Sequence, residues 1–78
     1  MMRVKIIAPY GADRAKLDER SFAELPDGAT LSDALRLVRV GPVKAKLLLV
    51  SVNGERAPLD ATLHDGDVVG FFSLISGG

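Results

Sequence analysis

The residues with the clearest chemical potential in this sequence are the last ones, Ser76, Gly77 and Gly78, which follow the apolar residue Ile75. Glycine has no Cβ, so a Gly-Gly end can lie extended in a channel too narrow for side chains. A carboxylate on such an end can enter the active site of a partner enzyme and be activated there as an acyl-adenylate. The alternative is a frayed end without a role, because chain ends are usually mobile unless something holds them. The residues before this end must decide between the two interpretations.

The composition excludes several other kinds of chemistry. The chain has 78 residues, 47% of them hydrophobic and 26% charged, which predicts a single globular domain over 1–78. It has no cysteine and one histidine, so we expect no disulfide, no cysteine nucleophile and no zinc site. Ten basic residues balance ten acidic ones, which argues against a nucleic-acid partner. We find no signal peptide and no apolar run of membrane-spanning length, so we expect a cytoplasmic protein without membrane association.

Apolar and polar residues alternate in the first third of the chain and predict two strands. The first covers 2–8, where the even-numbered positions are apolar. Residues 9–11, with the sequence Pro-Tyr-Gly, end this strand, and the mixed charges of 12–20 predict a long solvated loop. A short second strand covers 21–25, and the Pro-Asp-Gly sequence at 26–28 predicts a turn.

A helix is predicted after this turn. Thr30 can act as its N-cap, and Asp33 three residues later supports the first turn. Gly41 and Pro42 are expected to end it. A membrane-surface or partner-binding helix would need more length and a richer basic face, so we expect this helix to pack on the core. The apolar stripe that faces the core has the spacing i, i+3, i+4, i+7 and consists of Leu31, Ala34, Leu35 and Val38.

The second half of the chain predicts three more strands. Asn53 and Gly54 form a strong hairpin signal, and the segment 62–67 predicts a second turn. One helix can cover only one face of a small sheet, so the other face is solvated or binds a partner. The predicted strands are a central strand at 46–53, a short return strand at 55–57 and a last strand at 68–74.

This order of elements, together with four sequence stretches, resembles the ubiquitin-like β-grasp fold and, more narrowly, the MoaD/ThiS family of sulfur carriers. The stretches are LPDGATL at 25–31, VNGE at 52–55, LHDGDVV at 63–69 and SGG at 76–78. The resemblance implies an α+β fold with a mixed sheet of four to five strands packed on one helix. It also implies a flexible C-terminal tail at 75–78.

Within the family, two features of the sequence resemble MoaD, which is the small subunit of molybdopterin synthase. The first hairpin is long, covering 9–20, and Phe71 and Phe72 stand shortly before the tail. Ser73 and Leu74 depart from the pattern, because MoaD-like chains usually carry prolines there. This departure should make the exit of the tail less rigid.

The resemblance implies a carrier that is not an enzyme by itself. A MoeB/ThiF-like adenylating enzyme would use ATP and Mg to activate the Gly78 carboxylate, which a persulfide would then convert to a thiocarboxylate. The sulfur would pass to a MoaE-like large subunit of molybdopterin synthase or to another acceptor. The chain itself would bind no cofactor and no metal. Three alternatives stay open: a ThiS-type carrier for thiamin or another pathway, a ubiquitin-like protein modifier, and an interaction module with an inert tail.

The same resemblance implies where partners bind. Alternation along the last strand separates Val69 and Phe71, expected to face the helix, from Val68, Gly70 and Phe72 on the open side. Phe72 is therefore expected in an exposed patch that docks partners, although ordinary packing near the chain end is the alternative. The predicted partner-binding residues are Phe72, Gly70, Leu49 and Ser51, and the predicted tail residues are Ile75, Ser76 and Gly77, with Gly78 as the reacting residue.

Overall fold

Five strands and one helix make up the part of the chain that the computed structural model describes, which is residues 1–8, 11–41, 43 and 49–71. The order of elements agrees with the prediction. β1 and β5 are parallel, and the other neighbouring strands are antiparallel, so the sheet is mixed. The strand order across the sheet is β2-β1-β5-β3-β4. The elements are β1 (Met2–Ile6), β2 (Phe22–Leu25), α1 (Leu31–Leu37), β3 (Val50–Val52), β4 (Glu55–Arg56) and β5 (Val68–Phe71).

The hydrophobic core lies between the sheet and α1. The predicted stripe of α1 is confirmed, since all four of its residues are buried. Alternation in β1 buries every second side chain, and Val69 of β5 is completely inaccessible. Each fully buried valine or leucine contributes about 1.5–3 kcal/mol relative to an exposed one, so this single layer dominates the stability. The other buried apolar residues include Met2, Val4, Ile6, Ala23, Leu25, Val50 and Leu63.

The helix begins where the sequence predicts and ends earlier than predicted. The Asp33 carboxylate accepts hydrogen bonds from the Thr30 N–H at 2.9 Å and from the Thr30 hydroxyl at 3.2 Å. At the other end, the Arg39 backbone has a φ of +57°, which is usually a glycine conformation. The N–H of Val40 then bonds to the carbonyl of Leu35, and this closes the helix at Leu37. The expected end at Gly41 is therefore wrong by several residues.

The hairpin between β3 and β4 confirms the Asn-Gly signal. Asn53 and Gly54 both have positive φ values, +54° and +84°, as a two-residue hairpin turn of the favoured type requires. The Asn53 side chain also donates to Asp67 Oδ1 at 3.0 Å and accepts from the Val68 N–H at 2.9 Å. These bonds tie the turn to the start of β5.

The observed strands are shorter than the predicted ones: β1 ends at Ile6 and not at residue 8, β2 begins at Phe22 and not at residue 21, and β4 ends at Arg56 and not at residue 57. The central strand begins at Val50, because Leu49 has a φ of +49° and is not extended. Residues 46–48 of that prediction lie outside the described residues. The last strand is described only to Phe71, so Ser73 and Leu74 also lie outside.

The described part of the long segment between β1 and β2 that spans residues 11–21 is held to the strands by hydrogen bonds, which a solvated loop would not require. Asp18 Oδ1 accepts hydrogen bonds from the backbone N–H groups of Arg20 and Phe22 at 2.8 and 2.9 Å. Its other oxygen, Oδ2, accepts from Arg3 Nη2 at 2.6 Å, and Leu17 packs against the core. Mixed charge along 12–20 concealed this arrangement, because no local pattern marks Asp18, which is 44% exposed, as the residue that anchors the loop.

Candidate functional site

The face of the sheet that points away from α1 is set by the alternation of side chains along β1. Met2, Val4 and Ile6 belong to the core, so Arg3 and Lys5 point to the opposite side. Residues that are opposite one another in register share a face, and this rule extends the assignment across the sheet. We call this side the open face, and its described residues are Arg3, Lys5, Ile7, Phe22, Glu24, Ser51, Arg56, Val68 and Gly70.

Among the residues that the structure describes, those at the centre of the open face have little side-chain bulk. Gly70 and Ser51 are opposite one another in the β3–β5 pair. A Cβ on Gly70 would lie 3.2 Å from Ser51 Oγ, which is a tight contact. Ser51 is only 3% exposed, so its hydroxyl fills the space beside the glycine and does not project. The absence of a side chain on Gly70 leaves the room that this hydroxyl occupies.

Ile7 is an exposed apolar residue beside this centre. Its side chain is 54% exposed, and its N–H donates to the carbonyl of Val69 at 2.9 Å, which continues the β1–β5 pairing past Ile6. Ile7 therefore lies next to Gly70 on the open face. Ile7 is not among the predicted site residues, although an apolar residue at an odd position of an alternating strand was the available signal.

The other predicted site residues are only partly placed. Leu49 is half-buried and directly precedes β3 in a left-handed conformation. Phe71 is the last described residue, and it packs half-buried against the core opposite Val50. This agrees with the expected helix-facing side for Phe71. Phe72 and the tail residues Ile75, Ser76, Gly77 and Gly78 lie outside the described residues, so their roles stay predictions.

Charges on the open face are distributed unevenly. At the β2 edge, Arg3 contacts Asp18 at 2.6 Å, and its guanidinium carbon lies 4.9 Å from the centroid of the Phe22 ring. The hydrogen bond from the Phe22 N–H, followed by that from Arg20 and the charge of Arg3, lowers the pKa of the Asp18 carboxyl. By contrast, Lys5 and Arg56 form no ion pair among the residues described.

The described residues offer no obvious catalytic or metal constellation. Within them, no three histidine or carboxylate side chains come together as metal ligands. His64 is exposed, as expected for a turn residue, and its Nδ1 lies 3.8 Å from Asp67 Oδ2. That same oxygen accepts the His64 N–H at 2.8 Å, which is a turn contact. Among the helices that the structure describes, none is long and apolar enough to cross a bilayer.

A sheet with one covered face and one partly apolar open face can present a chain end to a partner. The model of the ThiS family matches residues 10–78, which is most of the chain. The chain belongs to the ThiS family. No curated protein matches this ThiS-family chain.

Two solved structures are similar to the ThiS-family chain. One is described as molybdopterin converting factor, subunit 1, from Pyrococcus furiosus; the identity is 28%, the TM-score is 0.57, and the match covers 92% of this chain and 94% of the other. The second is SAMP1 from Haloferax volcanii, with 27% identity, a TM-score of 0.53, and coverage of 99% and 98%. These matches and the family model confirm the β-grasp fold and the resemblance to ubiquitin-like sulfur carriers of the MoaD/ThiS type.

Proposed function

We propose that this chain is a sulfur carrier whose Gly78 carboxylate is adenylated and then converted to a thiocarboxylate that donates sulfur in molybdopterin synthesis. The observation that carries the proposal is the family match over residues 10–78, which includes the Ser-Gly-Gly end. The open face supports the proposal, because a carrier of this kind needs a surface on which its partners can dock.

The proposed chemistry takes place on the partner. A MoeB/ThiF-like enzyme binds ATP and Mg, and the Gly78 carboxylate attacks the α-phosphate, so that pyrophosphate leaves. A persulfide sulfur then attacks the acyl carbon and AMP leaves, which gives an acyl disulfide. A thiol reduces this disulfide, and the thiocarboxylate remains on Gly78. The chain supplies the reacting end and its reach, since the five residues 74–78 span about 16 Å at most when extended.

The open face is the part of the domain that we assign to partner binding. It borders β5, the strand from which the chain runs toward the tail. Ile7 and Val68 supply apolar contact there, and Gly70 with the buried Ser51 adds little side-chain bulk. The sequence-based expectation is that Phe72 and Leu49 extend this surface. Because the activating enzyme and the acceptor both need the tail, we propose that they dock on the same face in turn.

Molybdopterin synthesis is favoured over other sulfur-transfer routes by two observations. The structural relative from Pyrococcus furiosus is described as a molybdopterin converting factor subunit, and its match covers nearly the whole chain. The first loop is also long, and Asp18 holds it to the sheet. The acceptor on this reading is a MoaE-like large subunit. In the ThiS-type alternative the acceptor belongs to thiamin synthesis, and in the modifier alternative it is a lysine amine.

A reconstitution tests the proposal. The chain is mixed with the adenylating enzyme of its host, ATP, Mg and a sulfide source, and its intact mass is measured. We expect the mass change of one oxygen replaced by one sulfur, and we expect none in a variant lacking Gly77 and Gly78. A MoaE-like subunit with a pterin precursor should then consume the sulfur. If no adenylate or thiocarboxylate forms, the carrier function is wrong. An adenylate that is converted to an amide with a lysine would instead indicate the modifier.

A further inference from the structure

Lys5 and Arg56 are two cations on the open face that form no ion pair with the described residues, so they do not stabilise the fold through such a contact. The carboxylates that the described residues place at this face are Glu24, which lies opposite Arg3, and Asp18, which contacts Arg3 at 2.6 Å, both at the β2 edge. Neither of them forms an ion pair with Lys5 or Arg56. Within the same residues, the helix-side cations Arg36 and Arg39 each contact a carboxylate, at 3.8 and 3.3 Å.

These two cations lie on either side of the low centre of the face. Lys5 is opposite Val68 in the β1–β5 pair, and Arg56 is opposite Ser51 in the β3–β4 pair. Three strand spacings separate β1 from β4, which is about 14 Å at roughly 4.8 Å per spacing. A partner surface that covers Gly70 and Ser51 would therefore reach both cations at its borders.

Protection of the sheet edge against association with other chains can explain the position of Arg56 but not that of Lys5. A cation in an edge strand hinders edge-to-edge association, and Arg56 lies in the edge strand β4. Lys5 lies in β1, which has a paired strand on each side, and it is half-buried. Solubility therefore does not account for Lys5, and both cations share the feature of bordering the binding centre.

We propose that Lys5 and Arg56 select the adenylating partner by requiring two carboxylates that flank an apolar anchor on its docking surface. The proposal rests on the proposed function, because it assumes that this partner binds the open face. Covering a cation without a counter-charge costs free energy, and like charges across an interface repel strongly. A partner with acidic groups at these two positions is therefore accepted, and one with basic groups is rejected.

The test is the steady-state adenylation of the chain by the adenylating enzyme of its host, measured as pyrophosphate release. The variants are Lys5→Glu and Arg56→Glu, with Arg36→Glu on the helix side as the matched charge control; circular dichroism checks that each is folded. Each open-face reversal should lower kcat/KM about tenfold through KM, with kcat unchanged, because docking and not chemistry is weakened. Arg36→Glu should change kcat/KM less than about twofold, since its charge is away from the face.

Salt dependence separates charge recognition from a structural effect. Raising NaCl from about 0.05 to about 0.5 M should lower the wild-type kcat/KM, and the decrease should be much smaller for the double variant Lys5→Gln, Arg56→Gln. Wild-type values for both charge reversals, or equal salt dependence, would overturn the selection proposal while adenylation itself stands. If the wild-type chain is not adenylated at all, the proposed function fails, and the selection proposal fails with it.

Discussion

On β5, Val69 is completely buried on the helix side, whereas its neighbours Val68 and Gly70 are half-buried on the open face. The same alternation in β1 places Ile6 in the core and leaves Ile7 54% exposed. The helix side is filled with apolar side chains, while the centre of the open face is a glycine beside a buried serine hydroxyl. The comparison indicates that one face of each strand holds the domain together, whereas the other contributes less to the core and is the face to which we assign the proposed partner binding.

The largest expected effect on stability comes from removing a buried side chain on the helix side of the sheet. Leu31→Ala removes a fully buried side chain and should lower the free energy of unfolding by about 3 kcal/mol. Val68→Ala on the open face is the matched control and should cost less than about 1 kcal/mol, since less apolar area is lost. Urea denaturation followed by circular dichroism measures both. Equal losses would show that the two faces do not divide stability and binding as we describe.

A bulky residue at the centre of the open face should lower the rate of adenylation and affect stability less. Gly70→Leu adds a side chain at a position where a Cβ alone would lie 3.2 Å from Ser51 Oγ. The added side chain should therefore project from the open face and block the partner. We expect kcat/KM for adenylation to fall more than about tenfold, because interface contacts at a central position dominate binding. The companion variant Gly70→Ala with Ser51→Ala relieves the close contact, so it should fold like the wild type. Normal adenylation of a folded Gly70→Leu chain would contradict this role of the centre.

A smaller effect concerns the anchor that joins the loop to the open face. Hydrogen bonds and the Arg3 charge lower the pKa of the Asp18 carboxyl below its ordinary value of 3.8. A lowered folded-state pKa means that this carboxylate stabilises the fold above the unfolded pKa. That contribution is lost as the pH falls from about 3.8 through the folded-state pKa. Asp18→Asn should therefore destabilise the chain at neutral pH and weaken the dependence of stability on acid pH. An unchanged pH profile of unfolding would remove Asp18 from this role.

The smallest expected effect lies at the end of α1, on the helix side. Arg39 has a φ of +57°, a conformation that glycine adopts without steric cost. Arg39→Gly should raise the free energy of unfolding by about 0.5 kcal/mol, although it loses the exposed contact with Asp13. Arg39→Ala keeps the strained conformation and loses the same contact, so it should be slightly destabilising. If both variants are equally unstable, the contact with Asp13 matters more than the backbone conformation.

The helix side could be predicted from the sequence because burial imposes a local pattern. Alternation in β1 and the stripe from Leu31 to Val38 each require an apolar residue at a fixed spacing, and the structure buries these positions. Turn chemistry was equally readable at Asn53 and Gly54. The early end of α1 was not, because Arg39 occupies a conformation for which its residue type gives no signal.

The open face could be predicted only in part. Alternation placed Val68 and Gly70 on it and was an available signal for Ile7, and the family resemblance supplied Ser51. The position of Arg56 beside them depends on strand register. Register depends on pairing between distant segments, such as β1 with β5 and β3 with β4, and no local pattern encodes it. The predicted contributions of Phe72 and the tail come from the family resemblance and not from these physical constraints.

The central claim is that this domain carries sulfur on Gly78, and the most direct test is the intact mass of the protein purified from its own host. The account predicts that a fraction of the full-length chain has one oxygen replaced by one sulfur. It also predicts that alkylation of the terminal thiocarboxylate labels this fraction and that a chain without Gly77 and Gly78 lacks it. If thiol-free, rapid purification yields only the unmodified mass, and the adenylating enzyme with ATP and sulfide does not change it, the account is contradicted.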